Sequence, residues 1–380
     1  MFTLFIMAAC FGAYVLLWPV PIDPKAWQPP QAPAYKGPFA FKNALSNAEK
    51  LWRGKLAGPE ATAIKAGYLY TGVSDGSVMR APLDGSADPV VFANTGGHPL
   101  GMKFDAAGNL IICDADRGLV CVTPAGEASV LSDSVEGRHY NVADDLDIAP
   151  DGKIYFSDIS TKYTLAEADY AMMEDNPLGV LVCYDPATKT SRVVLDNLRL
   201  ANGVAMGPKG DYVLVNQTLG FCVTRLWLQG PKAGQSEPFV RSLPGGPDNI
   251  TFNGKDTYWV ALAYPRFPRL EELAGQPLKK KVMMRLPRAL ALVPEFFMGL
   301  NLPTFGLLVG LDLEGNITHF LDAKDTKIGM VTSVLEHEGY LYLGSLVSDY
   351  VAKIAIPEPI TDRATADKLL NNPRRNNESV

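Results

Sequence analysis

Pro150-Asp151-Gly152-Lys153-Ile154-Tyr155-Phe156-Ser157-Asp158 reads as a tight turn running straight into a strand. Asp-Gly supplies the positive φ that short hairpin turns need, and the β-branched and aromatic residues after it favour extended chain. The same phrase recurs. Asp105-Ala106-Ala107-Gly108 precedes Leu110-Ile111-Ile112, Pro208-Lys209-Gly210 precedes Tyr212-Val213-Leu214, and Asn253-Gly254 precedes Tyr258-Trp259-Val260. Ala66-Gly67 and Glu338-Gly339 open two shorter copies. The first five of these glycines follow one another at about 40 to 60 residues, close to the repeat of a four-stranded propeller blade. Six copies predict an all-β fold, a six-bladed β-propeller over residues 37–356. A β-sandwich would show no such period, and an α/β chain would need helices between the strands.

Only the gap between Gly254 and Gly339 is long, and it holds an insertion at 265–302 in the fifth blade. Arg266, Arg269, Lys279, Lys280, Lys281, Arg285 and Arg288 stand there among Leu, Met, Phe and Val. This basic amphipathic helical pattern suits a membrane surface or a cap on the propeller. Residues 2–20 carry no charge, so residues 1–21 are expected to form a single-pass signal anchor. A Pro-rich linker follows at 22–36, and 357–380 reads as a flexible tail. Lys25 and Lys36 follow the apolar segment, which by the positive-inside rule would leave the body in the cytoplasm.

Composition narrows the function. The chain has 47% hydrophobic residues, enough for a large core, and a net charge of -6. No Lys/Arg cluster interleaves with aromatics, so nucleic acid is not an expected partner. The five cysteines form no C-x-x-C pair, which removes thiolate metal sites and thioredoxin-like chemistry. Asn216, Asn249, Asn316 and Asn377 open glycosylation sequons, and sugar on Asn249 would conflict with the role argued next.

Polar residues stand before or at the mouths of strands that would line the propeller axis. They are Glu60, Asp144 in Val142-Ala143-Asp144-Asp145-Leu146, Asn202 in Ala201-Asn202-Gly203, and Asp248-Asn249 in Gly246-Pro247-Asp248-Asn249-Ile250. Singly, each is an ordinary turn or cap residue. Together, from four separated segments, they supply only oxygen donors to one point. That set suits Ca²⁺ rather than zinc.

At these residues, and in Glu336-His337-Glu338-Gly339-Tyr340-Leu341-Tyr342, the chain resembles the strictosidine-synthase-like family, in particular its membrane-associated branch. Paraoxonases and gluconolactonases are more distant relatives. The resemblance implies a propeller with a central calcium held by Glu60, Asp144, Asn202, Asp248 and Asn249. It also implies a retained N-terminal anchor and a body on the exported (periplasmic, lumenal or extracellular) side. Relatives usually carry Asn at the position of Asp144. Where the alkaloid synthases carry a catalytic Glu, this chain has Thr332, which argues against their condensation. His98 stands where relatives usually have Arg and does not align with the paraoxonase histidine, which falls nearer Leu100. The expected activity is calcium-dependent hydrolysis of an ester or lactone, with Asp248 or Asp145 as general base. His98 and His139 are lesser candidates. A non-catalytic membrane-tethered propeller that binds a small ligand or a protein is the alternative.

Overall fold

The computed structural model of the protein describes residues 2–286, 305–324 and 328–360. Six four-stranded antiparallel sheets are arranged as the blades of a propeller. Their inner strands are Thr62–Lys65, Pro99–Phe104, Ala143–Ile148, Ala201–Met206, Gly245–Phe252 and Ser333–His337. The six turn glycines lie between each inner strand and its neighbour, and all have positive φ, from 67° at Gly210 to 91° at Gly108. A Cβ would be strained at each of them. The sixth blade is closed by Glu49–Leu51, which pairs antiparallel with Val351–Lys353. Start and end of the propeller are thereby laced together.

Blade strands are covered on both faces by neighbouring blades, which is why they read as continuous apolar runs. Ile154–Asp158 and Tyr258–Pro265 are buried along their whole lengths. Between the fourth and fifth blades, Leu214, Val223, Tyr258, Val260, Leu262 and Val309 pack into one cluster.

Four inner strands share an irregularity. Between Pro99 and Met102, Ala143 and Leu146, Ala201 and Val204, and Pro247 and Ile250, the register gains one residue over the partner strand. Such bulges turn side chains out of the regular alternation. The residues they displace are Leu100-Gly101, Asp144-Asp145, Asn202-Gly203 and Asp248-Asn249.

The loops joining second to third strands lie on the face where the inner strands begin. They include the helix Ala168–Glu174, the segment 218–221 and the fifth-blade insertion. The linker expected at 22–36 is packed across this same face over residues 22–35: Ile22 is buried against Tyr163 and Met173, and Tyr35 donates to the Pro244 carbonyl. The insertion forms short helices, Pro268–Glu271 and Pro277–Arg285. The membrane-surface reading does not hold for three of its basic residues, because Arg266, Lys280 and Arg285 are buried. Arg266 pairs with Glu271, Lys280 with Asp175, and Arg285 donates to the Val15 and Trp18 carbonyls. Arg288 and the insertion beyond 286 lie outside the described residues, as does the tail beyond 360.

The N-terminal helix covers Phe2–Leu17, 16 residues. At 1.5 Å per residue that is about 24 Å, against roughly 30 Å of hydrocarbon. No helix among the described residues is long and apolar enough to cross a membrane.

Candidate metal centre

Glu60, Asp144, Asn202, Asp248 and Asn249 come together at one mouth of the central channel, each between 2% and 6% exposed. The bulges place them there. Asp144, Asn202 and Asp248 are the first displaced residues of three successive blades, and Leu100 is their counterpart in the second blade. Gly203 lets the fourth inner strand approach the fifth, since a Cβ there would lie 2.5 Å from the Asp248 carbonyl oxygen. Asn249 Nδ2 donates to Glu60 Oε1 at 2.9 Å, and Asn202 hydrogen-bonds the Asp248 carboxylate.

What remains unsatisfied is informative. Glu60 Oε2, Asp144 Oδ2, Asn202 Oδ1 and Asn249 Oδ1 are buried oxygens without a hydrogen-bond donor. Orphaned buried acceptors are rare and need an explanation. Burial pushes Glu60 well above the usual carboxylate range, and the charges of Asp144, Asp248 and Asp145 add to it. Burial raises Asp144 likewise, with Asp248 the leading charge. Asp248 is pushed up to about 8 by burial, against the hydrogen bond from Asn202. Negative charge crowded out of water with no positive partner is what a cation relieves. The all-oxygen donor set fits Ca²⁺. Yet no three His, Cys, Asp or Glu side chains among the described residues are grouped so as to hold a metal by themselves. A cation here depends on the Asn202 and Asn249 amide oxygens as much as on the acids.

The other candidates have different surroundings. Asp145 Oδ2 accepts from Val204 N at 2.9 Å, and Asp147 Oδ2 from Met206 N at 2.8 Å, so both brace the third blade against the fourth. Burial holds Asp145 at about 7 despite the Val204 bond. His139 sits on an outer hairpin with its side chain 81% exposed, which removes it from the site. The His98 backbone N–H donates to Asp114 Oδ1 at 3.0 Å. In the next blade Val142 N donates to Asp158 Oδ1 at the same distance.

Several supporting residues were not singled out as such from sequence. Thr332 Oγ1 and Ser333 Oγ both donate to the Glu60 carbonyl, at 2.8 and 2.7 Å. Asn216 and Thr218, read as a sequon, donate to the Asp248 and Pro247 carbonyls. Asn216 is fully buried and Asn249 2% exposed, so neither presents a surface acceptor for sugar. The signal in the sequence was positional: Asn216 is the penultimate residue of the second strand of its blade, one place before the position at which Asp114 and Asp158 end theirs.

Residues 144–231 match the family model described as strictosidine synthase, and residues 37–81 that described as strictosidine synthase-like, N-terminal. The adipocyte plasma membrane-associated protein of Bos taurus is 33% identical over 379 residues, 93% of this chain and 90% of that relative. Among solved structures, a gluconolactonase from Xanthomonas campestris aligns over 87% of this chain and 99% of its own, with a TM-score of 0.57 and 18% identity. Regucalcin, a calcium-binding protein from Agrobacterium tumefaciens, aligns over 82% and 94%, with a TM-score of 0.54 and 12% identity. These two show the fold. The relative, aligned nearly end to end, shows more: the chain belongs to the strictosidine synthase-like family.

Proposed function

We propose that the protein is a calcium-dependent hydrolase of esters or lactones, held at a membrane by its N-terminal helix with the propeller on the exported side. The observation that carries the hydrolase reading is the set of four buried oxygens lacking donors, Glu60 Oε2, Asp144 Oδ2, Asn202 Oδ1 and Asn249 Oδ1. Bound there, Ca²⁺ would supply Lewis-acid polarisation of a substrate carbonyl. The chain's own residues do the rest. Glu60 and Asp144 supply charge, and Asn202 and Asn249 each bring a neutral oxygen while their amide N–H groups donate to the carboxylates of Asp248 and Glu60. Asp248 is the better placed of the two candidate bases, because Asp145 is tied to the fourth blade's backbone. A strictosidine-type condensation is not supported, since the Thr332 hydroxyl is directed at the Glu60 carbonyl. The names of the fold neighbours, a gluconolactonase and a calcium-binding protein, point the same way. For the membrane, the support is a helix with no charged residue and exposed Phe2, Phe5, Phe11 and Leu17.

The test is hydrolysis of a panel of lactones and aryl esters by the full chain, with and without chelator, together with metal analysis and the Asn202→Ala variant. Activity indifferent to both chelator and substitution would sink the reading. A second reading, a propeller that binds a ligand without turning it over, has its own observation. The mouth is covered, and the cavity beside it measures about 30 Å³, against roughly 300 Å³ or more for a typical ligand pocket. Saturable binding without turnover across the panel would favour it.

A further inference from the structure

The small cavity beside the metal centre is walled by Trp27, Met172, Phe221, Tyr264 and Leu273, together with the charged residues Asp175, Glu271 and Lys280. Its inner wall backs onto the centre: a Cβ on Gly246, two residues before Asp248, would lie 2.5 Å from the Tyr264 ring. Its outer wall is the crossing segment. Trp27 is held there by contacts from three elements. Its Nε1 donates to Asp175 Oδ2 at 2.6 Å, its backbone N–H to the Ala274 carbonyl at 3.1 Å, and the Arg199 guanidinium stands 3.8 Å over its ring. Asp175 is also the partner of Arg199 and Lys280, both at 3.3 Å. The clamp is polar while the space beneath it is apolar. Around Trp27 the crossing segment is attached by hydrogen bonds at several points: Asp23 N to Glu174, Asn176 and Lys281 to the Asp23 carbonyl and carboxylate, Lys25 N to Asn176, and Arg266 to the Pro30 carbonyl.

We propose that Trp27 is a displaceable plug in an apolar pocket that serves the metal centre, and that the pocket takes an uncharged aliphatic or aromatic chain. The physical reason is the mismatch between wall and volume. Most of the wall is apolar, its charged residues Asp175, Glu271 and Lys280 are engaged in ion pairs, and the present volume admits no more than a methyl-sized group or a water. Only when the indole lifts does the space become large enough for a chain. This inference rests on the hydrolase reading for what the pocket serves, but its test does not use hydrolysis or metal.

The experiment is titration of the full chain with 1-N-phenylnaphthylamine, a neutral apolar fluorophore. Trp27→Ala is expected to bind it at least tenfold more tightly than wild type, and Trp27→Phe, which keeps a ring but loses the bond to Asp175, to fall between. Adding Ala274→Trp to Trp27→Ala refills the pocket and is expected to restore wild-type binding. Trp27 variants that melt with wild-type cooperativity and bind the fluorophore no more tightly overturn the proposal. So does tight binding that survives refilling, which would place the probe elsewhere. Trp27→Phe decides the matter if Trp27→Ala fails to fold. If the plug is confirmed while hydrolysis and metal binding are absent, the pocket stands and the hydrolase reading fails.

Discussion

At the scale of single residues, the centre is defined by oxygens that the protein leaves without donors. Asn202→Ala removes one such oxygen and the amide that faces Asp248. It is expected to weaken Ca²⁺ binding by at least about tenfold with the fold retained, read by calorimetry, consistent with the losses that follow even indirect disturbance of metal ligands. Unchanged affinity would remove Asn202 from the ligand set. The same crowding sets a pH dependence. Burial raises Asp248 to about 8 from an ordinary value of 3.8, and Glu60 and Asp144 move in the same direction. A carboxyl whose folded pKa lies above its unfolded one contributes stability that is complete at low pH and lost as pH rises through the folded value. The chelated protein is therefore expected to lose melting temperature between about pH 4 and about pH 8, while the Ca²⁺-saturated protein stays flatter, by scanning fluorimetry. A chelated protein that gains stability across that window would contradict the assignment.

Elements decide where these residues point. The polar pair Asp248-Asn249 was recognisable as out of place in a strand, and the bulge between Pro247 and Ile250 is its explanation. Three further bulges at matching points make it a repeated device rather than a local defect. Other elements departed from expectation for reasons of packing. The basic residues of the insertion looked like a membrane-facing stripe, but Lys280 and Arg266 find Asp175 and Glu271, carboxylates remote or unnoticed in the pattern. Arg285 reaches the C-terminal end of the helix Phe2–Leu17, where carbonyls lack internal partners. Arg285→Ala is expected to speed amide exchange over residues 14–18 by about tenfold, while the blades keep their protection. Exchange spreading to the inner strands instead would show that this contact supports the propeller itself.

For the whole molecule, closure is the main device. Glu49–Leu51 completes the last blade, and Leu51 packs with Leu69, Tyr342 and Val351 across the first and last sheets. Leu51→Ala is expected to cost about 2–5 kcal/mol, the range for a buried leucine, and to lower the melting temperature. Deleting residues 1–20, which lie outside the blades, is expected to shift the propeller's transition far less. Equal losses from the two changes would mean that the ring is not closed in this way.

The six turns, the blade period and the oxygen donors were legible because each follows from local chemistry: glycine where φ is positive, β-branched and aromatic residues where both faces are covered, carboxylates and amides where neither belongs. Asp144 and Asn202 could be named from sequence for the same reason. Tertiary structure alone decided the rest. Asp145, one residue from Asp144, braces the next blade because a bulge sends neighbours in different directions, and no periodicity announces a bulge. The segment 22–35 crosses the mouth instead of spacing an anchor from the body, because Asp175, Glu174 and Ala274 present partners that only the folded face assembles. Side-chain identity carries the chemistry of a residue, whereas its direction and its long-range partners exist only once distant segments meet.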